Sequence, residues 1–138
     1  MKKILITGGA GFIGSNFVEY LFKNITELTG VTIFDKFTYA ANQRNYKEFE
    51  SDERLKIIKG DICDQAVIAP LIENADVIIN FAAETHVDRS IVNQMPFIRT
   101  NIVGTGVLLS EAVKNKNIIF IQISTDEVYG SIESGSWD

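Results

Sequence analysis

Residues 3–14 read Lys-Ile-Leu-Ile-Thr-Gly-Gly-Ala-Gly-Phe-Ile-Gly, an apolar run that passes directly into a glycine-rich segment. The run predicts a strand, and the segment predicts a sharp turn with a helix beginning inside it. Glycines at positions 8, 11 and 14 would let the backbone approach a pyrophosphate, which then lies at the positive end of the helix. A tight turn without any ligand would use the same glycines, so this stretch alone leaves both interpretations open.

Short apolar, β-branched runs recur along the chain, and each is too short for a core helix. They lie at residues 3–7, 31–35, 55–59, 77–81 and 118–124. Between them, helical periodicity predicts helices at residues 12–23, 65–74 and 96–115, while the polar residues 36–53 predict a long loop with a short helix. Strands that are nearly continuously apolar are typical of a parallel sheet covered on both faces. The sequence therefore predicts a doubly wound α/β fold of the Rossmann type.

Composition excludes several classes of function. The chain has 138 residues and a formal net charge of -5, with no more than two Lys or Arg in a row, which disfavours binding to nucleic acid or to an anionic membrane. Cys63 is the only cysteine and His86 the only histidine, so we expect no internal disulfide and no metal site. No stretch approaches the roughly 18 apolar residues of a membrane span. We expect a soluble, cytoplasmic protein with one domain or part of one.

An acidic residue ends the second predicted strand. Asp35 lies about 20 residues beyond Gly14, the offset at which dinucleotide-binding folds place a ribose-binding acid. A carboxylate there accepts hydrogen bonds from ribose hydroxyls and repels a 2′-phosphate, which favours NAD over NADP. Lys36 works against this preference, because a neighbouring cation could tolerate the phosphate.

A hydroxyl and two carboxylates follow the last predicted strand. Thr125, Asp126 and Glu127 lie within the segment Ser-Thr-Asp-Glu-Val-Tyr-Gly at residues 124–130. Such a group can supply a hydrogen-bond donor, an acid and a base to one pocket. The alternative is a polar exit from the strand with solvated carboxylates.

Other strand ends fit either a cofactor or ordinary packing. Asp61 could bind adenine or cap the helix at residues 65–74, and Ile62 could pack on the base. Ala82 and Ala83 are small enough for a flat cofactor to lie against the backbone, but small residues at a strand end are also common in plain packing.

The predicted helix at residues 96–115 contains four poor helix formers. Thr100 and Asn101 are mediocre, and Gly104 and Gly106 each cost about 1 kcal/mol relative to Ala. Close approach of the helix to the sheet is one explanation.

Together these segments resemble one family. The spacing Gly-x-x-Gly-x-x-Gly at residues 8–14 is similar to that of the extended short-chain dehydrogenase/reductase superfamily. Four further blocks resemble its nucleotide-sugar 4,6-dehydratases, and most closely those acting on dTDP-glucose: Asp-Lys-Phe-Thr-Tyr-Ala at 35–40, Gly-Asp-Ile at 60–62, Asn-Phe-Ala-Ala-Glu-Thr-His-Val-Asp-Arg-Ser at 80–90, and residues 124–130.

The resemblance implies a tightly held NAD and a nucleotide-sugar substrate. The cofactor residues it implies are Gly8, Gly11, Phe12, Ile13, Gly14, Asp35, Lys36, Thr38, Asp61, Ile62, Phe81, Ala82, Ala83 and Thr100. It places Thr85 and Thr125 against the substrate and assigns the acid and base to residues other than His86. We expect His86 to be a structural hydrogen-bonding residue, and the roles of Asp88 and Arg89 stay open.

The resemblance also implies a mechanism. NAD+ takes a hydride from sugar carbon 4, water leaves from carbon 6, and the hydride returns to carbon 6. Thr125 would hydrogen-bond the carbon-4 oxygen, Glu127 would remove the carbon-5 proton, and Asp126 would protonate the departing hydroxyl. Related sugar epimerases generally lack this Asp-Glu pair.

One part of the family's machinery does not occur in the sequence. Short-chain dehydrogenases use a Tyr-x-x-x-Lys pair, and none of the four tyrosines here has Lys four positions later. We therefore expect residues 1–138 to be an amino-terminal, truncated NAD-binding domain without its substrate domain, inactive alone. The resemblance also implies a homodimer formed through helices such as 96–115. A sugar 4-epimerase or decarboxylase of the same superfamily, and a non-catalytic NAD-binding module, are the alternatives.

Overall fold

Five parallel strands form one sheet. The structure, a computed structural model, describes residues 2–125, 128, 130, 134 and 135, without the side chains of residues 43 and 44. The strands are β1 (Lys2–Thr7), β2 (Leu28–Asp35), β3 (Leu55–Lys59), β4 (Val77–Asn80) and β5 (Ile119–Gln122). Their order is β3-β2-β1-β4-β5, with every pairing parallel. The predicted doubly wound architecture is confirmed.

Helices connect the strands. They are α1 (Phe12–Asn24), α2 (Gln65–Glu73), α3 (Val87–Val92), α4 (Met95–Phe97) and α5 (Thr105–Ala112), with a 3₁₀ turn at Gln43–Tyr46. The first two predicted helices are confirmed to within one residue at each end. The helix predicted at residues 96–115 is present but widens into a π-helical segment at Ile98–Gly104, which joins α4 to α5. In the described part of the chain, no helix is both long and apolar enough to cross a bilayer.

Two strands are shorter than predicted. The strand predicted at 77–81 ends at Asn80, because the Ala82 amide turns back onto the Asn80 side chain (3.1 Å) and leaves the ladder. The strand predicted at 118–124 begins only at Ile119, since the Ile118 amide is held by the Asn115 carbonyl in a turn.

Alternating side chains of the sheet pack into two hydrophobic cores, one on each face. Leu5 and Ile6 are adjacent in β1 and both are fully buried, but they point to opposite faces, as successive strand residues must. Leu5 packs with residues of α2 and α5, and Ile6 packs with residues of α1. Burying each such side chain contributes about 1.5–3 kcal/mol, so helices on both faces stabilise the sheet.

The strand order reverses between β1 and β4. At this point the hydroxyl of Thr7 donates to Asn80 Oδ1 (2.5 Å), and Asn80 Nδ2 donates to Gln122 Oε1 (2.8 Å). This polar chain ties the carboxyl ends of three strands together. Open α/β sheets bind their ligands in the crevice beside such a reversal.

Candidate functional site

The glycine-rich loop lies directly against the end of β4. Gly8 has φ +69°, and a Cβ on it would stand 2.4 Å from the Ala82 nitrogen. A Cβ on Gly14 would stand 2.5 Å from the Gly8 carbonyl oxygen. Only glycine permits both contacts, so the turn and the first helix are packed as tightly as the sequence predicts.

The amino terminus of α1 is uncapped by side chains. Its N-cap is Gly11, no side chain hydrogen-bonds to the cap, and the first turn holds no acidic residue. The side chains of Phe12 and Ile13 are exposed at this point. The first-turn amides of a helix have no intrahelical acceptor, so this terminus can bind an anion.

Asp35 is buried and fixed by two backbone amides. Its Oδ2 accepts from the Ala10 amide at 2.9 Å, and its Oδ1 accepts from the Phe37 amide at 2.7 Å. The 3₁₀ turn supports the same loop, since the buried Tyr46 hydroxyl donates to the Gly9 carbonyl. Burial, followed by the nearby charge of Asp35, raises the pKa of Tyr46, so this hydroxyl stays protonated and remains a donor.

One cleft brings most of the predicted cofactor residues together. Its lining consists of Gly8, Gly11, Phe34, Asp35, Lys36, Thr38, Ala40, Ala41, Ile62, Phe81, Ala82, Ala83, Glu84 and Thr100. Phe12, Ile13 and Gly14 follow directly on Gly11 in α1. Sequence reasoning missed Phe34, Ala40, Ala41 and Glu84. The first three are small or apolar residues next to a motif, and Glu84 is a charged residue inside one, so none of them gives a local sign of lining a cleft.

Asp61 is not a helix cap. The N-cap of α2 is Asp64, while Asp61 Oδ1 accepts from the Cys63 amide (2.9 Å) and Oδ2 pairs with Lys36 Nζ (2.9 Å). Arg99 approaches the same oxygen at 3.8 Å. Burial alone would raise the pKa of Asp61, but the hydrogen bonds from Lys36 and Cys63 outweigh it and hold the pKa below its ordinary value.

The two glycines of the long helix have different surroundings. A Cβ on Gly104 would stand 2.4 Å from Ile62 Cδ1, whereas one on Gly106 would meet no atom within 4 Å. Close approach of the helix therefore explains Gly104, and it does so beside a residue that lines the cleft.

A second cleft adjoins the first. It is lined by Ala83, Glu84, Thr85, Val87, Ser90, Phe97, Asn101 and Thr125, and it shares Ala83 and Glu84 with the first. Asn101 Oδ1 accepts from the Glu84 amide (2.8 Å), and its Nδ2 donates to the Glu84 carbonyl (2.9 Å). Thr85 and Thr125, the two predicted substrate residues, are thus brought together. Asp126 and Glu127 lie outside the described residues.

His86 lies against Tyr39, a side chain that reaches Glu84. Its ring centroid lies 5.7 Å from that of Tyr39, and the Arg89 guanidinium lies 3.9 Å from the same tyrosine ring. The Tyr39 hydroxyl donates to Glu84 at 3.3 Å. Among the described residues, no three His, Cys, Asp or Glu side chains are grouped to hold a metal ion.

Comparison with known proteins places this architecture in a family. The sequence profile of GDP-mannose 4,6 dehydratase matches residues 5–137. The chain belongs to the GDP-mannose 4,6 dehydratase family. The chain is 50% identical over 139 residues to the dTDP-glucose 4,6-dehydratase of an Actinoplanes species. This match covers 98% of the chain and 43% of that protein.

Solved structures agree with this assignment to the GDP-mannose 4,6 dehydratase family. DesIV, a dTDP-glucose 4,6-dehydratase from Streptomyces venezuelae solved with NAD bound, has a TM-score of 0.92 and 45% identity over 98% of this chain and 43% of its own. The Bacillus anthracis dTDP-glucose 4,6-dehydratase in complex with NAD has a TM-score of 0.87 and 38% identity, and the match covers 100% of this chain and 42% of that one. The chain therefore spans about two fifths of the length of these relatives.

Proposed function

We propose that this chain is the NAD-binding part of a nucleotide-sugar 4,6-dehydratase that acts on dTDP-glucose. The observation that carries the proposal is the cleft at the strand-order reversal, where Gly8, Gly11 and the doubly held Asp35 lie together. The similarity to dTDP-glucose 4,6-dehydratases supports the substrate class.

The residues of the cleft fit a dinucleotide. The uncapped terminus of α1 suits a pyrophosphate, and the Asp35 carboxylate, oriented by two amides, suits ribose hydroxyls. Ile62 and Ala82 offer apolar or small surfaces to flat rings. The buried negative charge of Asp35 favours NAD over NADP.

The second cleft would hold the sugar. NAD, when bound, would supply the capacity to accept and return a hydride. Thr125, which lines this cleft beside Thr85, would donate a hydrogen bond to the carbon-4 oxygen. Glu127 would take the carbon-5 proton, and Asp126 would protonate the hydroxyl that leaves carbon 6 as water.

The test is product analysis with the intact native protein and dTDP-glucose. We expect a 4-keto-6-deoxy sugar, detected by mass spectrometry as the loss of one water. Glu127→Gln and Asp126→Asn should each suppress this loss, while Glu73→Gln, an exposed carboxylate change on α2, should not. A 4-epimer of unchanged mass would instead identify an epimerase.

The 138-residue chain alone should bind NAD without turning over the sugar nucleotide. It lacks a Tyr-x-x-x-Lys pair, so it contains no phenolate of that kind to take the alcohol proton. Calorimetric titration with NAD and an assay with dTDP-glucose check both statements. Turnover by this chain, or failure to bind NAD, would contradict them.

We also propose that the protein is a homodimer. Several apolar side chains from α3 to the C-cap of α5 are exposed, namely Ile91, Val92, Met95, Ile102, Val103 and Val113. Exposed apolar surface of this kind often marks a subunit contact.

A further inference from the structure

Lys36 is the cation next to the proposed ribose-binding acid, and its charge is already paired. Its ammonium lies 2.9 Å from Asp61 Oδ2, although Lys36 also lines the cleft together with Asp35 and Thr38. A cation in this position is what a 2′-phosphate would require. In the sequence, Lys36 works against a preference for NAD because a free cation could tolerate the 2′-phosphate of NADP. In the structure this lysine is paired with the carboxylate of Asp61.

Asp61 is the more buried member of this cluster, and the two cations are the more exposed ones. Its side chain is 22% exposed, against 54% for Lys36 and 64% for Arg99, whose Nη2 lies 3.8 Å from the same Oδ2. The other carboxylate oxygen is held by the Cys63 amide at 2.9 Å. One anchored negative charge therefore faces two exposed positive charges.

We infer that Asp61 acts as a second determinant of the preference for NAD over NADP, by neutralising Lys36, which lines the cleft, and Arg99, which approaches the same carboxylate. The inference rests on the proposed dinucleotide function. Asp35 repels a 2′-phosphate directly, whereas Asp61 withholds the cations that would attract it. A phosphate is bound most strongly by charged Lys and Arg donors that are free to reach it.

The test compares the dissociation constants of NAD+ and NADP+ for the chain and for Asp61→Asn. Asparagine keeps the size of the side chain and an oxygen for the Cys63 amide but removes the charge. We expect the ratio of the NADP+ to the NAD+ dissociation constant to fall by about fivefold, the scale of one exposed ion pair. The fall should shrink as NaCl is raised, because exposed charges are screened.

Asp64→Asn is the matched control. It removes the same charge three positions away, at the N-cap of α2, where the side chain makes no capping hydrogen bond and does not line the cleft. The ratio should stay at the wild-type value.

A triple variant tests whether the two cations cause the change in the ratio. Adding Lys36→Gln and Arg99→Gln to Asp61→Asn should return the ratio to the wild-type value or above it. The inference is wrong if Asp61→Asn does not change the ratio of the two dissociation constants, whether or not NAD+ binding itself weakens. It is also wrong if the ratio stays low after both cations are removed. In either case the proposed function stands. A wild-type chain that binds neither nucleotide would contradict the proposed function itself.

Discussion

Gly8 is the residue on which the contact between the first loop and β4 depends. Its φ is +69°, and a Cβ would lie 2.4 Å from a backbone nitrogen that cannot move aside as a flexible side chain can. We expect Gly8→Ala to lower the free energy of unfolding by about 2 kcal/mol. NAD affinity should fall as well, because the loop would be displaced from the cleft.

Urea denaturation and calorimetric titration measure these two effects. Gly30→Ala is the control, since its Cβ would have only an ordinary contact of 3.6 Å with the Arg54 carbonyl oxygen. Equal stability of the two variants would show that the loop tolerates a side chain at position 8.

Asp61 should make stability depend on pH. Its pKa is lowered in the folded chain, so its contribution is fully present above the ordinary carboxyl pKa and is lost as the pH falls through the lowered value. The stability advantage of the native chain over Lys36→Gln should follow this course. Carboxyl NMR should show a higher Asp61 pKa in Lys36→Gln, and an unchanged value would argue against the ion pair.

At the scale of the element, the long helix packs against a residue that lines the cleft. Gly104 lies against Ile62, and a Cβ at this position would stand 2.4 Å from Ile62 Cδ1. Gly104→Ala should push Ile62 into the cleft and weaken NAD binding severalfold. Gly106→Ala, in open space in α5, should leave binding unchanged and raise stability by up to about 1 kcal/mol.

Titration of both variants with NAD separates these effects, because both introduce the same methyl group into one helix. Equal affinities would mean that Ile62 can move without affecting the cleft.

Local patterns were sufficient for most elements and insufficient for two. The strands and first helices follow from apolar runs and glycines, which act over a few residues. The helix α3 was missed because its six residues make fewer than two turns, which is too short a window for helical periodicity to be recognised. The π-helical segment was not predicted, because Thr100 and Gly104 indicate a weak helix but do not indicate that its hydrogen bonds change from the α-helical to the π-helical pattern.

The same limit applies to the candidate site. Motif spacing predicted where Asp35 and the glycines lie, because these positions are set within one strand-turn-helix unit. The pairings of Lys36 with Asp61 and of Asn101 with Glu84 join separate elements, and only the folded chain brings them together.

At the scale of the whole molecule, the exposed apolar helices should mediate self-association. Ile102 is 66% exposed on the π-helical segment. Ile102→Lys should convert the proposed dimer into a monomer with little change in stability, measured by light scattering after size-exclusion chromatography. Tyr20→Lys, on α1 across the sheet, should remain dimeric. A dimeric Ile102→Lys protein would place the interface elsewhere.

The two adjoining clefts have one wall in common. Glu84 belongs to both, and Asn101 holds its amide and its carbonyl at once. If one ligand orders this wall on binding, the second ligand binds to a wall that is already ordered and binds more tightly. This coupling free energy is the same whichever ligand binds first. A bound sugar nucleotide would therefore retain the dinucleotide as much as the dinucleotide retains the sugar. In a reaction that passes a hydride to the dinucleotide and later takes it back, this mutual retention would keep the sugar and the dinucleotide together until the hydride has returned.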